Sequence, residues 1–307
     1  MRRFWLLFGL FLFALLAGCG QQSGPGGENG ASLSATQALE TYAAVQSRFV
    51  VPLTQIAPGA GGLVPPFILY LSAFDPYAHE LPLGDCHVDA SGSLADADHD
   101  LVPKDATFNG SCSWSITLDV VNVTVTWGFD DFKIQDPDDN NPNAGYRASG
   151  GMSWELQAGP GSEYTLELSV TRHELVWKAD QSLYTYEYTG AFTWRDEDDA
   201  EHRDAYHLTG TWKPEDTDDP WFYGWQTIDE GSKIEDQEPG GSGWVTEHEL
   251  DLQTNAALHF TEQGIESGEL EATFIDYGTT PPQSCNLTIT WSDYRAEFGG
   301  SCLGSGG

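Results

Sequence analysis

Residues 184–194 read YTYEYTGAFTW. Tyr184, Tyr186, Tyr188, Phe192 and Trp194 fall on even positions, and Thr185, Glu187, Thr189, Ala191 and Thr193 on odd ones. A two-residue period puts the aromatic set on one face of an extended chain and the smaller, mostly polar set on the other. Aromatic and β-branched side chains suit that pleated surface. The stretch is therefore expected to be a strand with one buried and one solvated side.

The same period extends outward in both directions. Trp114, Ile116, Leu118 and Val120 share one face, and then Val121, Val123, Val125 and Trp127 share the other. Such a change of parity marks a bulge or a tight turn near Asp119 to Asn122. Tyr164, Leu166, Leu168 and Val170 give way to His173, Leu175 and Trp177 through another change. Tyr206, Leu208 and Trp212 continue the pattern, followed by 244–260, 270–277 and a final hairpin. Asp136 to Asn141, Asp196 to Asp204 and Glu215 to Asp219 are acidic breaks that read as hairpin tips. The expected fold is mainly β, a large antiparallel meander of about ten to twelve strands. A sheet that large curls, so a strongly curved sheet or partly closed barrel is expected, with a two-sheet sandwich as the alternative.

One helix precedes the strands. Ser34 and Gln37 have capping-box spacing, and Leu39, Tyr42, Ala43, Phe49 and Val50 recur at helical intervals before Pro52. Residues 33–66 are read as this helix and a Pro/Gly-rich connection. Residues 67–307 are read as the β domain, opening on an apolar run, 67–74, that fits a buried strand or a short helix.

Four cysteines lie in the β region: Cys86, Cys112, Cys285 and Cys302. Local sequence favours Cys86–Cys112 and Cys285–Cys302 among the three pairings. A hairpin turning at Asp293 and Tyr294 would set Ile289 against Phe298, Trp291 against Ala296, and Cys285 against Cys302. One register then satisfies both the bridge and the apolar face.

The N-terminus begins with Arg2 and Arg3, runs through apolar residues from Phe4 to Ala17, and closes on Leu16, Ala17, Gly18 and Cys19. Basic start, apolar middle and small residues have the order of a secretory signal. The last four residues resemble the lipobox of bacterial lipoproteins. The resemblance implies that 1–18 is a signal peptide and that Cys19 is acylated, carrying palmitate, and becomes the mature N-terminus. It places the protein in the bacterial cell envelope, anchored to membrane through its N-terminal lipid. With Gly20 next, the outer membrane is the expected site in a Gram-negative cell. Residues 19–32 follow as a lipidated cysteine and flexible tether.

Acidic residues outnumber basic ones 47 to 13, a formal charge of −34. Such a surface repels nucleic-acid phosphate. It attracts cations, and Asp96, Asp98 and Asp100, with Val102, form the best local motif. Three alternate aspartates supply hard oxygen ligands around one loop, as calcium prefers. They resemble the D-x-D-x-D loops of EF-hand-like and thrombospondin-type repeats. Leu101 departs from the glycine expected there, and Thr107 from the closing glutamate. Residues Trp221, Phe222, Tyr223 and Trp225 lie in a loop-like acidic stretch and are read as a ligand or partner contact.

His173-Glu174 and His248-Glu249 lack the second histidine of a zinc-protease helix, and the histidines are read as surface or strand-face residues. No nucleophile elbow or phosphate loop is present. The expected role is non-catalytic, binding or structural, with an apolar ligand in the curved sheet as one form of it. An envelope glycan hydrolase and a calcium-dependent surface adhesion module are the alternatives.

Overall fold

The computed structural model describes residues 32–42, 84–118, 121–159, 163–195, 200–215, 223–261 and 264–303. Cys19, the signal segment, the tether up to residue 31, the helical positions expected beyond 42, Pro52, residues 67–74, Trp221 and Phe222 lie outside the described residues.

The protein is mainly β. A helix, α1 (35–42), precedes β1 (Asp85–Ser93), β2 (Asp105–Leu118), β3 (Val121–Gln135), β4 (Gly145–Ala158), β5 (Glu163–Lys178), β6 (Leu183–Arg195) and β7 (Glu201–Pro214). Then come β8 (Gly224–Ile228), β9 (Ser232–Gly240), β10 (Gly243–Thr261), β11 (Gly264–Asp276), β12 (Gln283–Ser292) and β13 (Arg295–Gly299). All thirteen belong to one strongly curved antiparallel sheet, rather than to the two sheets of a sandwich. Among the described residues the first strand is β1, starting at Asp85.

The meander is simpler than thirteen strands imply. β8 and β9 both lie between β7 and β10. Along β10 the register is the same at Leu258↔Gln226 and at Leu252↔Ser232. The two are thus one strand interrupted at 229–231, and the chain goes up and down without a crossover. Leu118 pairs with Val121, so the change of parity there is a hairpin rather than a bulge.

Curvature follows from a crease. Successive strand pairs shift register at Phe108/Gly110, Asp130/Lys133, Ala148/Gly150 and Val170/Arg172. Each inserted residue bends its strand and raises its twist. Aligned across β2 to β6, the shifts fold the sheet along one line. Asp131 sits there at φ 48°, held by reciprocal bonds with Asn109 of 2.9 and 3.1 Å. Beyond the crease, Tyr206 packs over Gly190 and Tyr186 over Gly210, each across a strand pair. A side chain at either glycine would occupy the tyrosine's place.

The apolar face is the core. Tyr184, Phe108, Phe132, Ile134, Leu175 and Ile234 are fully buried on it, each contributing about 1.5–3 kcal/mol of transfer free energy. The capping box of α1 forms, with Ser34 N–H donating to Gln37 Oε1 and Gln37 N–H to Ser34 Oγ. The helix delivers Leu39 and Tyr42 to the sheet, where Tyr42 meets Phe132 and Tyr146 edge-on. Its hydroxyl bonds His173 Nδ1 at 2.7 Å, and His173 Nε2 bonds the Tyr206 hydroxyl at 2.7 Å. His173 is therefore no surface residue. Burial lowers its pKa to about 3, which keeps it neutral, with one tyrosine donating and the other accepting. Glu174, next along β5, is tied to Arg147 and Arg172.

Both expected disulfides are present. Cys86 and Cys112 are direct cross-strand partners, and Cys285 joins Cys302 just past β13. Ile289↔Phe298 and Trp291↔Ala296 pair in the expected register, turning at Asp293 and Tyr294 with φ of 50° and 64°. Cys302 lies in a short 3-10 turn (Ser301–Leu303), not on the strand. The bridges lie at the two ends of the sheet, tying β1 and the segment after β13 to inner strands. Edge strands are otherwise the easiest part of a sheet to peel away.

Candidate metal centre

The loop between β1 and β2 is built around its aspartates. Asp96 is buried, and its two oxygens accept the amides of Asp100 and Leu101 at 3.2 and 3.3 Å. Asp100 Oδ1 accepts the Val102 amide at 2.8 Å. These bonds coil 96–102 into a tight loop, closed where Lys104 N–H donates to the Ala95 carbonyl at 2.8 Å. The coil requires left-handed backbone at His99 (φ 67°) and Leu101 (φ 68°). Leu101 thus takes the conformation glycine would supply, at a cost of about 1–2 kcal/mol. Val102 turns inward and joins the core; in this structure its side chain anchors the loop to the sheet.

Asp96, Asp98 and Asp100 each offer a carboxylate oxygen, all within 4.8 Å of one another. A second group, Asp98, Asp136 and Asp139, meets the same criterion. Asp136 and Asp139 come from the β3–β4 connection, the hairpin tip expected from sequence, and this tip also packs against the β1–β2 loop. Asp136 N–H donates to the Pro103 carbonyl at 3.0 Å, and Ala97 N–H to Asp139 Oδ1 at 2.8 Å. Lys104 lies 3.4 Å from Asp139 Oδ2. Two acidic segments about forty residues apart in sequence thus lie bonded side by side.

The cluster is electrostatically unfinished. Both carboxylate oxygens of Asp98 and Oδ2 of Asp136 are buried without a hydrogen-bond partner. Burial, and after it the neighbouring carboxylates, raise Asp98, lift Asp100 to about 8 and lift Asp136 to about 6. Buried polar oxygens are ordinarily satisfied, and like charges this close repel. A divalent cation answers both conditions. The donor set is all oxygen and all hard, which suits calcium rather than zinc.

The other expected contact divides. Tyr223 is half-buried. Trp225 lies in β8 rather than in a loop, between Lys213 and His259 on neighbouring strands. Its ring stacks on His259 at 4.7 Å and 7°, and His259 bonds Glu266 at 2.7 Å and Glu215 at 3.4 Å.

The acidic run suggests a hairpin tip reaching Asp204, but β7 starts at Glu201 and Asp204 is fully buried on the core face. Its carboxyl oxygens have no hydrogen-bond partner, and burial followed by Asp236 raises its pKa well above the usual range. Asp236, its cross-strand partner, is hydrogen-bonded to His248 Nδ1 at 2.9 Å.

No protein-family model matches the chain, and no curated protein or solved structure compared with it proves similar.

Proposed function

We propose that this chain is a lipid-anchored module of the bacterial cell envelope, non-catalytic, whose β domain is completed by bound calcium. The single observation behind the calcium part is the set of buried carboxylate oxygens without partners on Asp98 and Asp136, facing Asp96, Asp100 and Asp139. Calcium is millimolar in many exteriors and scarce in cytoplasm, so a weak all-oxygen site matches an exported domain. The two disulfides favour the same compartment. The lipobox residues through Cys19 supply the anchor in this reading, and the acidic surface keeps the displayed domain soluble and off anionic membrane. A display or adhesion role at the surface fits such a module, with the half-buried Tyr223 and Trp225 as a contact for a partner or envelope glycan.

Calorimetric titration of calcium into the purified, chelator-treated protein tests the metal reading. Heat of binding and a higher melting temperature are expected. Neither heat nor a shift at millimolar calcium would remove calcium from the proposal. Mass spectrometry of the envelope-extracted protein tests the anchor. An acylated N-terminal Cys19 is expected, and a free N-terminus elsewhere would overturn it.

A further inference from the structure

The two carboxylate groups are not alternatives for one ion, because they share only Asp98. Asp96 and Asp100 approach it from the β1–β2 loop, and Asp136 and Asp139 from the β3–β4 connection. Both Asp98 oxygens are buried and make no full hydrogen bond, although the Asp100 amide and the Asp96 carboxyl lie close enough to act on them. A carboxylate so placed between two ligand groups has the arrangement of a bridge.

The second group carries its own sign of a ligand. Asp136 is 5% exposed. Its Oδ1 accepts the Asp138 amide at 2.8 Å, while Oδ2 is buried with no hydrogen-bond partner, on a side chain grouped with Asp98 and Asp139. The Asp96–Asp98–Asp100 loop could be filled and this oxygen would still be unsatisfied.

Charge leads to the same count. Five carboxylates gather here, and Lys104, on Asp139, is the cation paired with them among the described residues. With their protons displaced by metal, the remaining four carboxylates match two divalent ions in charge.

We propose that the cluster binds two divalent cations, bridged by Asp98: one on Asp96 and Asp100, the other on Asp136 and Asp139. The inference rests on the calcium reading above and adds a second site to it. Bridged ions of this kind lie about 4 Å apart. Binding draws the β1–β2 and β3–β4 connections together through one shared side chain. Occupancy of either site therefore fixes Asp98 for the other, and binding is cooperative.

Native mass spectrometry of the intact protein in calcium measures the stoichiometry directly. Two calcium ions per chain are expected, one for Asp139→Asn, and neither ion at full affinity for Asp98→Asn. Terbium and europium added together give an independent readout, since energy transfer between lanthanides requires two ions a few ångströms apart. Tyr184, close enough to feel the Asp100 charge, serves as the sensitising ring. Two ions with transfer support the bridge. One ion without transfer overturns the second site and leaves the calcium reading standing. No ion at all overturns both. Two ions without transfer, or Asp98→Asn keeping both, overturn the bridge.

Discussion

Replacing Asp136 with asparagine separates a calcium ligand from a merely acidic loop, because the effect should reverse sign with calcium. Without metal, Asp136 Oδ2 is buried and unpartnered beside the carboxylates of Asp98 and Asp139. An unsatisfied buried oxygen costs about 1–3 kcal/mol. Asparagine keeps the carbonyl that accepts the Asp138 amide and turns a donor NH2 toward its two acidic neighbours. In chelator, Asp136→Asn should therefore be more stable than the wild type by about 1–2 kcal/mol, toward the low end because the loop is partly solvated. At about 2–4 °C per kcal/mol for a domain of this size, the melting temperature rises by several degrees. In calcium the order inverts. The wild type gains about 2.7 kcal/mol at a hundredfold excess over its Kd, while the variant has lost a charged ligand and gains less. Scanning calorimetry of both proteins in chelator and in millimolar calcium reads all four values. If the variant is less stable than the wild type by the same amount in both buffers, Asp136 has an ordinary structural role and the reasoning fails.

Leu101→Gly relieves a φ of 68° at a half-exposed position. After glycine's own entropic cost, it should add about 0.5–1 kcal/mol and tighten calcium binding, read by denaturant midpoint and titration. Gly190→Ala puts a methyl group 2.7 Å from both the Tyr206 ring and the Ser169 carbonyl. It should cost about 1–3 kcal/mol, whereas Gly241→Ala, which meets nothing, should change the urea midpoint little. Replacing Cys86 and Cys112 with serine opens a link spanning 26 residues. It should cost about 3 kcal/mol and weaken calcium binding, since the 96–102 loop lies inside that span. His173 sets an acid limit. Its folded pKa of about 3 lies below the unfolded 6.5, so the unfolded chain takes the proton first. Its contribution is full above pH 6.5 and is lost on acidification toward 3, at about 1.4 kcal/mol per pH unit. An NMR titration should find its imidazole neutral at pH 5, and a charged ring there would refute the burial argument.

The alternation around Tyr184 made the strands legible because a half-buried sheet imposes a two-residue period that nothing else produces over such lengths. The Cys285–Cys302 register was legible for a related reason. A two-residue turn at Asp293 and Tyr294 leaves one pairing that buries Ile289, Trp291, Phe298 and Ala296 together. Asp204 misled because local acidity mimics a turn, and only the parity shared with Tyr206 and Leu208 could have placed it on the core face. Half of the candidate metal centre was legible, since Asp96, Asp98 and Asp100 alternate within one loop. Asp136 and Asp139 were not, because their ligand role depends on β2 and β3 carrying the two connections to the same end of the sheet. A bridging site assembled from two loops has no spacing of its own to detect.

That assembly gives the metal centre a place in the architecture beyond its chemistry. Leu33 N–H donates to the Leu94 carbonyl at 2.9 Å, and Ser32 bridges Ala95. The chain leaving residue 31 thus docks on the two residues immediately before Asp96. Leu33, Leu39, Tyr42 and Val102 then share one core with the sheet. The loop that carries the first three carboxylates is also the surface on which the N-terminal segment lands. With Cys19 as the anchor, any pull between membrane and domain reaches the sheet through this junction. A cation that fixes 96–102 against the β3–β4 connection stiffens the junction across four strands. The Cys86–Cys112 bridge holds the edge strand beneath it, and His173 secures Tyr42 from the other side. Metal, disulfide and buried histidine are then three means to one end: keeping the N-terminal segment of an anchored domain attached to a sheet whose edge would otherwise be its weakest part.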